Sequence, residues 1–321
     1  MRPVLDDRSG YTPREVAEIL RGPKEEAKMR LLIPGGNGMV ARMLAETARR
    51  RGHEPVLVPH ADWDILDPQA GRDQLARHKP DVLVNCAAVT DVDGCETTRG
   101  EEALRVNGEG PGVLARACVE ALVPILHLST DFVFDGTADR PYPTDARLKP
   151  ISVYGISKAA GEKAVMAAGG AWTILRTGWV YGPWGRNFVD TILRKARELE
   201  RPDGKLRVVR DQVGAPTYTG DLADAILRLA GSHARGIVHF TNAWHCSWHA
   251  FAKEITVMAG LDVPVEAVTT AQFPRPAHRP AYSVLDLERY HLLTRQRPRP
   301  WPEALAEYFS QYLNAPKTEG V

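Results

Sequence analysis

Met29-Arg30-Leu31-Leu32-Ile33-Pro34-Gly35-Gly36-Asn37-Gly38-Met39-Val40-Ala41 decides the fold. The apolar run Met29–Pro34 stops at a cluster of glycines, and a helical stretch, Val40–Arg51, begins directly behind them. Strand, glycine turn and helix N-terminus in that order form the context in which G-x-x-G-x-x-G/A sets a dinucleotide pyrophosphate on open backbone amides. Small residues let the backbone approach the ligand. Gly35, Gly38, Met39 and Val40 are the expected cradle.

Outward from this turn, apolar runs alternate with helical stretches: Pro55–Pro59, Gln69–His78, Asp81–Ala88, Glu102–Leu122, Val123–Leu128, then helix Ser152–Ala168 and strand Trp172–Arg176. Such alternation builds βαβ units and a parallel sheet covered on both faces. The expected fold is α/β, a Rossmann-type doubly wound parallel sheet with a smaller C-terminal substrate-binding domain. Beyond Thr177 the rhythm loosens, and the proline-rich Phe273–Pro280 cannot be helix interior. The dinucleotide-binding domain is therefore assigned to 29–176 and about 207–242, and the substrate-binding domain to about 177–206 and 243–316. Residues 1–28 form an extension, in which Thr12-Pro13-Arg14-Glu15 reads as a capping box opening a short helix.

With 321 residues the chain has room for two units, and 44% apolar against 25% charged residues suits a packed core. The 41 basic and 40 acidic residues leave a formal charge of +1, so no net field draws the chain to nucleic acid or an anionic membrane. Any anionic ligand must be held by local groups. No run approaches the ~18 apolar residues of a membrane span, and the start lacks the order of a signal peptide. Cys86, Cys95, Cys118 and Cys246 show no C-x-x-C spacing, which favours free thiols in a reducing compartment, the cytoplasm. His245 and His249 flank Cys246 but have no third ligand cluster, so no metal is expected.

Tyr154 and Lys158 stand four apart on one helix face, where an ammonium can sit beside a phenol, depress its pKa and let it donate a proton to a developing alkoxide. Ser129-Thr130-Asp131 ends the strand Val123–Leu128, at the carboxyl edge where open α/β sheets bind ligands. Thr130 can there hydrogen-bond a carbonyl; the competing reading is a cap. No carboxylate stands at Val58-Pro59-His60, the end of the second strand, so a ribose 2′-phosphate is not repelled, and Arg50, Arg51 and His60 are its candidate neighbours.

The motifs VNCAAVTDVD, RVNGEGPG, STDFVFDG, VYGISKAAGE, LRTGWVYG, NFVDTILRKA, DQVGAPTYTGDLA, CSWHAFAKEI and RPAHRPAYSVLDLERY follow in order from about Met29 to about Leu313. Together they resemble the dTDP-4-dehydrorhamnose reductase family of extended short-chain dehydrogenases. The resemblance implies reduction of the C4 carbonyl of a nucleotide-diphosphate 4-keto-6-deoxysugar, with Thr130, Tyr154 and Lys158 as the catalytic set. With the nicotinamide that the resemblance implies, NADPH is the expected cofactor, with NADH as the alternative. It also implies that Asp64 and Ile65 meet the adenine, that Ala87 and Ala88 let the backbone approach the cofactor, and that Asn107 belongs to the cofactor site. Trp179 and Asn187 are expected on the substrate side, the first from the resemblance, and the prolines of Phe273–Pro280 pre-order Arg275 and Arg279 as a stiff pair suited to a diphosphate, against the alternative of a solvated loop; a homodimer is a further expectation.

The chain departs from the family pattern at Met39, Ala41, Ser152 and Thr144, the last two of which flank the catalytic helix and bear on which sugar is accepted. The alternative substrates are other deoxysugars, as in dihydrostreptose-type synthases. A non-catalytic reading also exists, because the methionine adenosyltransferase regulatory subunit shares this fold. LRTGWVYG and DQVGAPT favour the enzyme.

Overall fold

The computed structural model describes residues 27–200 and 203–313, so the expected helix near Thr12 lies outside the described residues. Strands β1 (Arg30–Pro34), β2 (Glu54–Val58), β3 (Val82–Asn85), β4 (Ile125–Thr130), β5 (Trp172–Thr177) and β6 (Gly236–His239) form one sheet in the order β6-β5-β4-β3-β1-β2. Every neighbouring pair is parallel. The order reverses between β1 and β3, and that switch point opens a crevice at the carboxyl ends of the strands.

Side-chain alternation along each strand feeds two cores. Leu31, Ile33, Val84, Leu126 and Leu175 point to one face, while Leu32, Leu83, Ile125 and Ile174 point to the other. Helices α1 (Met39–Arg50) and α6 (Thr219–Gly231) cover the first face; α2 (Pro68–His78), α3 (Gly110–Glu120) and α4 (Val153–Ala168) cover the second. Helices α5 (Phe188–Glu198), α7 (Trp248–Met258) and α8 (Trp301–Tyr308) extend the first core beyond the sheet. Of the 207–242 stretch, α6 and β6 join this body, while Leu206–Val209 pairs in parallel with Val265–Val268 outside the central sheet.

The stretch expected as one helix over Glu102–Leu122 is instead divided: a π-helical segment, Leu104–Glu109, precedes α3. Pro111 removes an amide from the ladder at that point. Gly161 of α4 packs against the same segment so closely that a Cβ there would fall 2.1 Å from the Asn107 carbonyl oxygen.

One buried ion pair ties α4 to the sheet. Glu162 accepts from Arg176 Nε at 2.9 Å and Nη2 at 2.8 Å, and from Ser129 Oγ at 2.5 Å. Both charged side chains are 1% exposed or less. Arg176 also donates to the Thr144 carbonyl at 3.1 Å. Among the described residues no helix is long and apolar enough to cross a membrane.

Removing one partner of such a pair leaves a buried charge without its counterion, which typically costs about 3–5 kcal/mol. Glu162→Ala is expected to lower unfolding free energy by that amount in urea titrations, whereas Glu162→Leu combined with Arg176→Met recovers most of it. A single substitution within 1 kcal/mol of wild type would contradict the anchoring role.

Candidate active site

The glycine turn meets the end of β3 at the switch point. Gly35 sits at φ +79°, and a Cβ there would fall 2.6 Å from the Ala87 backbone nitrogen. Gly38 caps α1 without a side-chain partner, and the first turn of α1 carries no acidic residue. Bare backbone, open amides and the positive end of the helix together fit an anionic dinucleotide. Gly36 N–H donates to the Val58 carbonyl at 3.0 Å, which locks the turn to the end of β2.

Around this turn, Asp64 is exposed and binds the Leu66 amide, while Ile65 is buried in the second core against Gly110. Ala87 and Ala88 line the crevice half-buried. Arg50 and Arg51 do not reach it. They close the C-terminal end of α1, ~18 Å along the helix axis from the turn, where Arg51 pairs with Asp224 at 2.8 Å and Arg50 Nη2 donates to Thr47 at 3.2 Å. Nearness in sequence to β2 places them at the wrong end of that strand; His60, exposed, follows its carboxyl end.

Asn107 is fully buried, and its amide is spent inside the protein: Oδ1 accepts from Val89 N at 2.8 Å, and Nδ2 donates to Val89 O at 2.9 Å and Ser157 Oγ at 3.1 Å. It clamps the loop after β3 to the helix carrying Tyr154.

Ser152 caps α4 by accepting from Gly155 N at 3.1 Å. Tyr154 stands in the first turn of α4 with its phenol beside Thr130, and its ring meets Phe132 edge-on at 5.6 Å. Thr130 also caps the turn Asp131–Val133, accepting from Phe132 N at 3.2 Å, and donates to Asp131 Oδ1 at 3.0 Å. Capping and a place in the site thus coexist in one hydroxyl.

The expected depression of the Tyr154 pKa is corrected here. Burial raises it, with Asp131 and Cys95 adding to the rise and Thr130 opposing it. Lys158 instead donates from Nζ to the Leu128 carbonyl at 2.6 Å, and burial brings its own pKa down to about 8. The phenol therefore holds its proton throughout the neutral range.

Beside Phe132 lies a cavity of about 420 Å³ whose walls include Trp179, Asn187, Arg275 and Arg279. Arg186, Lys195 and Arg207 join them, and no carboxylate is among the described lining residues. Trp179 adopts φ +50°, a strained value for a bulky residue, and stacks on Trp248 with ring centroids 3.4 Å apart. Asn187 caps α5 and donates to Gly182 O at 2.8 Å, so its amide shapes the rim. A larger open depression of about 750 Å³ lies at the amino ends of the strands, near Leu122, and holds none of these residues.

Sequence reasoning did not assign Asp131, Phe132, Trp248, Ser283 or Asp93, although the motifs STDFVFDG, CSWHAFAKEI, RPAYSVLD and TDVD carry them. The signal was present as motif context without a chemical role. The histidines beside Cys246 gather no cluster: His249 Nε2 meets the Val265 carbonyl, and no three-residue metal-binding group occurs among the described residues.

A family model described as RmlD substrate binding domain matches residues 29–314. A curated relative from Streptomyces griseus named dTDP-4-dehydrorhamnose reductase is 42% identical, over 87% of this chain and 93% of its own length. Another, from Streptomyces antibioticus, is named probable dTDP-4,6-dihydroxy-2-methyloxan-3-one 4-ketoreductase and is also 42% identical, over 89% and 97%. A solved dTDP-4-dehydrorhamnose reductase from Bacillus anthracis in complex with NADP superposes with a TM-score of 0.84 at 32% identity, covering 88% of this chain and 99% of that one.

Asp131 gives the site a pH signature. Burial pushes its carboxyl up to about 6, while hydrogen bonds from Ser283 and Thr130 limit the rise. A folded-state pKa above the unfolded value of about 3.9 means the folded protein binds this proton more tightly. The stability it contributes is full below about pH 4 and is lost as pH rises through 6. Asp131→Asn should therefore gain about 2–3 kcal/mol relative to wild type between pH 4 and pH 8 in paired denaturation curves. A pH-independent difference would contradict the assignment.

Proposed function

The chain belongs to the dTDP-4-dehydrorhamnose reductase family, and from that premise we propose that it reduces the C4 carbonyl of a dTDP-4-keto-6-deoxysugar, most simply dTDP-4-dehydrorhamnose to dTDP-rhamnose, with NADPH. The observation that carries this reading is the juxtaposition at the carboxyl edge of the sheet. Tyr154, its phenol beside Thr130, adjoins through Phe132 a cavity walled by arginines and a tryptophan stack.

When bound at the glycine turn, a reduced nicotinamide would supply the two-electron reductant, a hydride, for the carbonyl carbon. Gly35, Gly38, Met39 and Val40 would hold its pyrophosphate, Asp64 and Ile65 the adenine side, and Ala87 and Ala88 the approach along β3. Tyr154 delivers its Oη proton to the carbonyl oxygen as that oxygen becomes an alkoxide, so one hydride and one proton convert ketone to alcohol. Thr130 hydrogen-bonds the same oxygen and fixes its direction. Lys158, held by the Leu128 carbonyl at 2.6 Å, would present its remaining ammonium protons to the nicotinamide ribose. Asn107 acts at one remove, holding the loop after β3 against α4.

Trp179 faces the sugar, Asn187 shapes the rim beside it, and Arg275 and Arg279 carry the diphosphate, which bears about two negative charges. A protein with a formal charge of +1 depends on such local guanidinium groups. The four free thiols are consistent with a reducing, cytoplasmic setting.

Ser152 and Thr144 stand where the family pattern has an amide and an acid, and the Streptomyces antibioticus relative bears the name of a ketoreductase for a different sugar. A second reading is therefore reduction of another 4-keto sugar in the same site. NADPH oxidation across a panel of dTDP-4-keto-6-deoxysugars distinguishes the two, and consumption with none of them would overturn both.

Tyr154→Phe should lower kcat about 10²–10⁴-fold with the NADPH dissociation constant within about twofold. Arg279→Ala should instead raise KM for the nucleotide-sugar about tenfold, 1.4 kcal/mol, at little cost in kcat. Unchanged kcat in the first or unchanged KM in the second refutes that residue's role. Because β2 ends without a carboxylate, kcat/KM with NADPH should equal or exceed that with NADH; a strong NADH preference would contradict this reading.

A further inference from the structure

The two arginines of the 273–280 loop converge on one carboxylate. Arg275 donates from Nε to Asp93 Oδ2 at 3.0 Å and from Nη2 to the same oxygen. Arg279 Nη2 lies 3.0 Å from both Asp93 oxygens, and Ala277 N–H donates to Oδ1 at 3.2 Å. Arg279 Nη1 donates back to the Ala277 carbonyl at 2.9 Å, which closes the loop on itself. Burial alone would raise the Asp93 pKa, but Arg275, Ala277 N–H and Arg279 together bring it below the usual carboxylate value, so it remains charged.

Asp93 lies on the short helix Val92–Thr97 that follows β3. Three residues on, Glu96 Oε1 accepts from Val153 N at 2.7 Å, the residue before Tyr154. One helical turn therefore holds the arginine loop with one carboxylate and the start of the Tyr154 helix with the other. Both arginines still line the 420 Å³ cavity while clasped, and Arg275 Nη1 takes no part in the clasp. Two guanidinium charges less one carboxylate leave this clasp a net +1, beside the Arg186, Lys195 and Arg207 charges of the same cavity wall.

We propose that Asp93 is a positioning residue for anion recognition: it fixes Arg275 and Arg279 in a cavity-facing arrangement and registers them against the helix that carries Tyr154. The proposal rests on reading the cavity as a nucleoside-diphosphate-sugar site. A carboxylate that merely occupied the arginines would compete with the substrate, and its removal would tighten binding. A positioning carboxylate has the opposite sign.

The test uses the full chain and dTDP as the probe, first with wild type. Asp93→Asn, isosteric and on a partly exposed turn, is expected to weaken dTDP binding five- to tenfold by calorimetry. KM for the nucleotide-sugar should rise by the same factor, while kcat falls less than threefold and the NADPH dissociation constant stays within twofold. Hydrogen exchange in 273–280 should accelerate without ligand. Asp93→Glu, which keeps the charge at a different reach, should show a smaller loss and serves as the second variant. Wild-type dTDP binding with unchanged or tighter binding in Asp93→Asn overturns this proposal alone. Absence of dTDP binding in wild type overturns the functional reading, and the proposal with it.

Discussion

The buried pair of Glu162 and Arg176 is the constraint from which the site's geometry follows. It joins α4 to β5 through two charged hydrogen bonds and to β4 through Ser129. Desolvating two charges is expensive unless their geometry is good and their remaining valences are filled. Here Arg176 is also satisfied by the Thr144 carbonyl and meets His239 at 3.2 Å. One turn before Glu162, Lys158 donates to the Leu128 carbonyl of β4, and another turn earlier Tyr154 stands beside Thr130 at the strand's end. Three residues at four-residue spacing thus descend one helix face from proton donor to anchor.

The second half of the site is assembled from the far end of the chain. Pro280 and Ala281 pass so close to Gly136 that a Cβ there would fall 2.5 Å from Pro280 Cα. Ser283 N–H then donates to the Val213 carbonyl at 2.8 Å with its side chain beside Asp131, and Tyr142 bridges Leu285. The loop carrying Arg275 and Arg279 is consequently fixed on both sides, by Asp93 before it and by the STDFVFDG loop after it. Phe132 connects the two halves, lining the cavity with Arg275 and Arg279 while its ring meets Tyr154 at 5.6 Å.

Much of this was legible in the sequence. Strands of four to six residues with turn signals at their ends are a local property, and the glycine turn announced the switch point because Gly35 has to approach Ala87. The grouping of Thr130, Tyr154 and Lys158 at one strand end and one helix face was legible from spacing, and the structure brings Tyr154 beside Thr130 while Lys158 meets the Leu128 carbonyl. Interactions over long separations were not. The Asp93–Arg279 contact joins residues 186 apart, and no periodicity encodes it. The Tyr154 pKa was misread because spacing reports that Lys158 shares a helix face with the phenol, not that burial dominates or that the ammonium turns to a backbone carbonyl. The π-helical break was hidden because a run rich in good helix formers reads as continuous until Pro111 and the packing against Gly161 are considered.

The central claim is that this site moves a hydride to a sugar C4 carbonyl while Tyr154 supplies the proton. The most direct measurement incubates the protein with NADPH deuterated at C4 of the nicotinamide, as each of the two epimers, and dTDP-4-dehydrorhamnose, and reads the product by NMR. Deuterium at sugar C4 from one epimer only, with one NADPH consumed per sugar reduced, is the expected result. Reduction without deuterium at C4, or no reduction while both ligands bind, would contradict it.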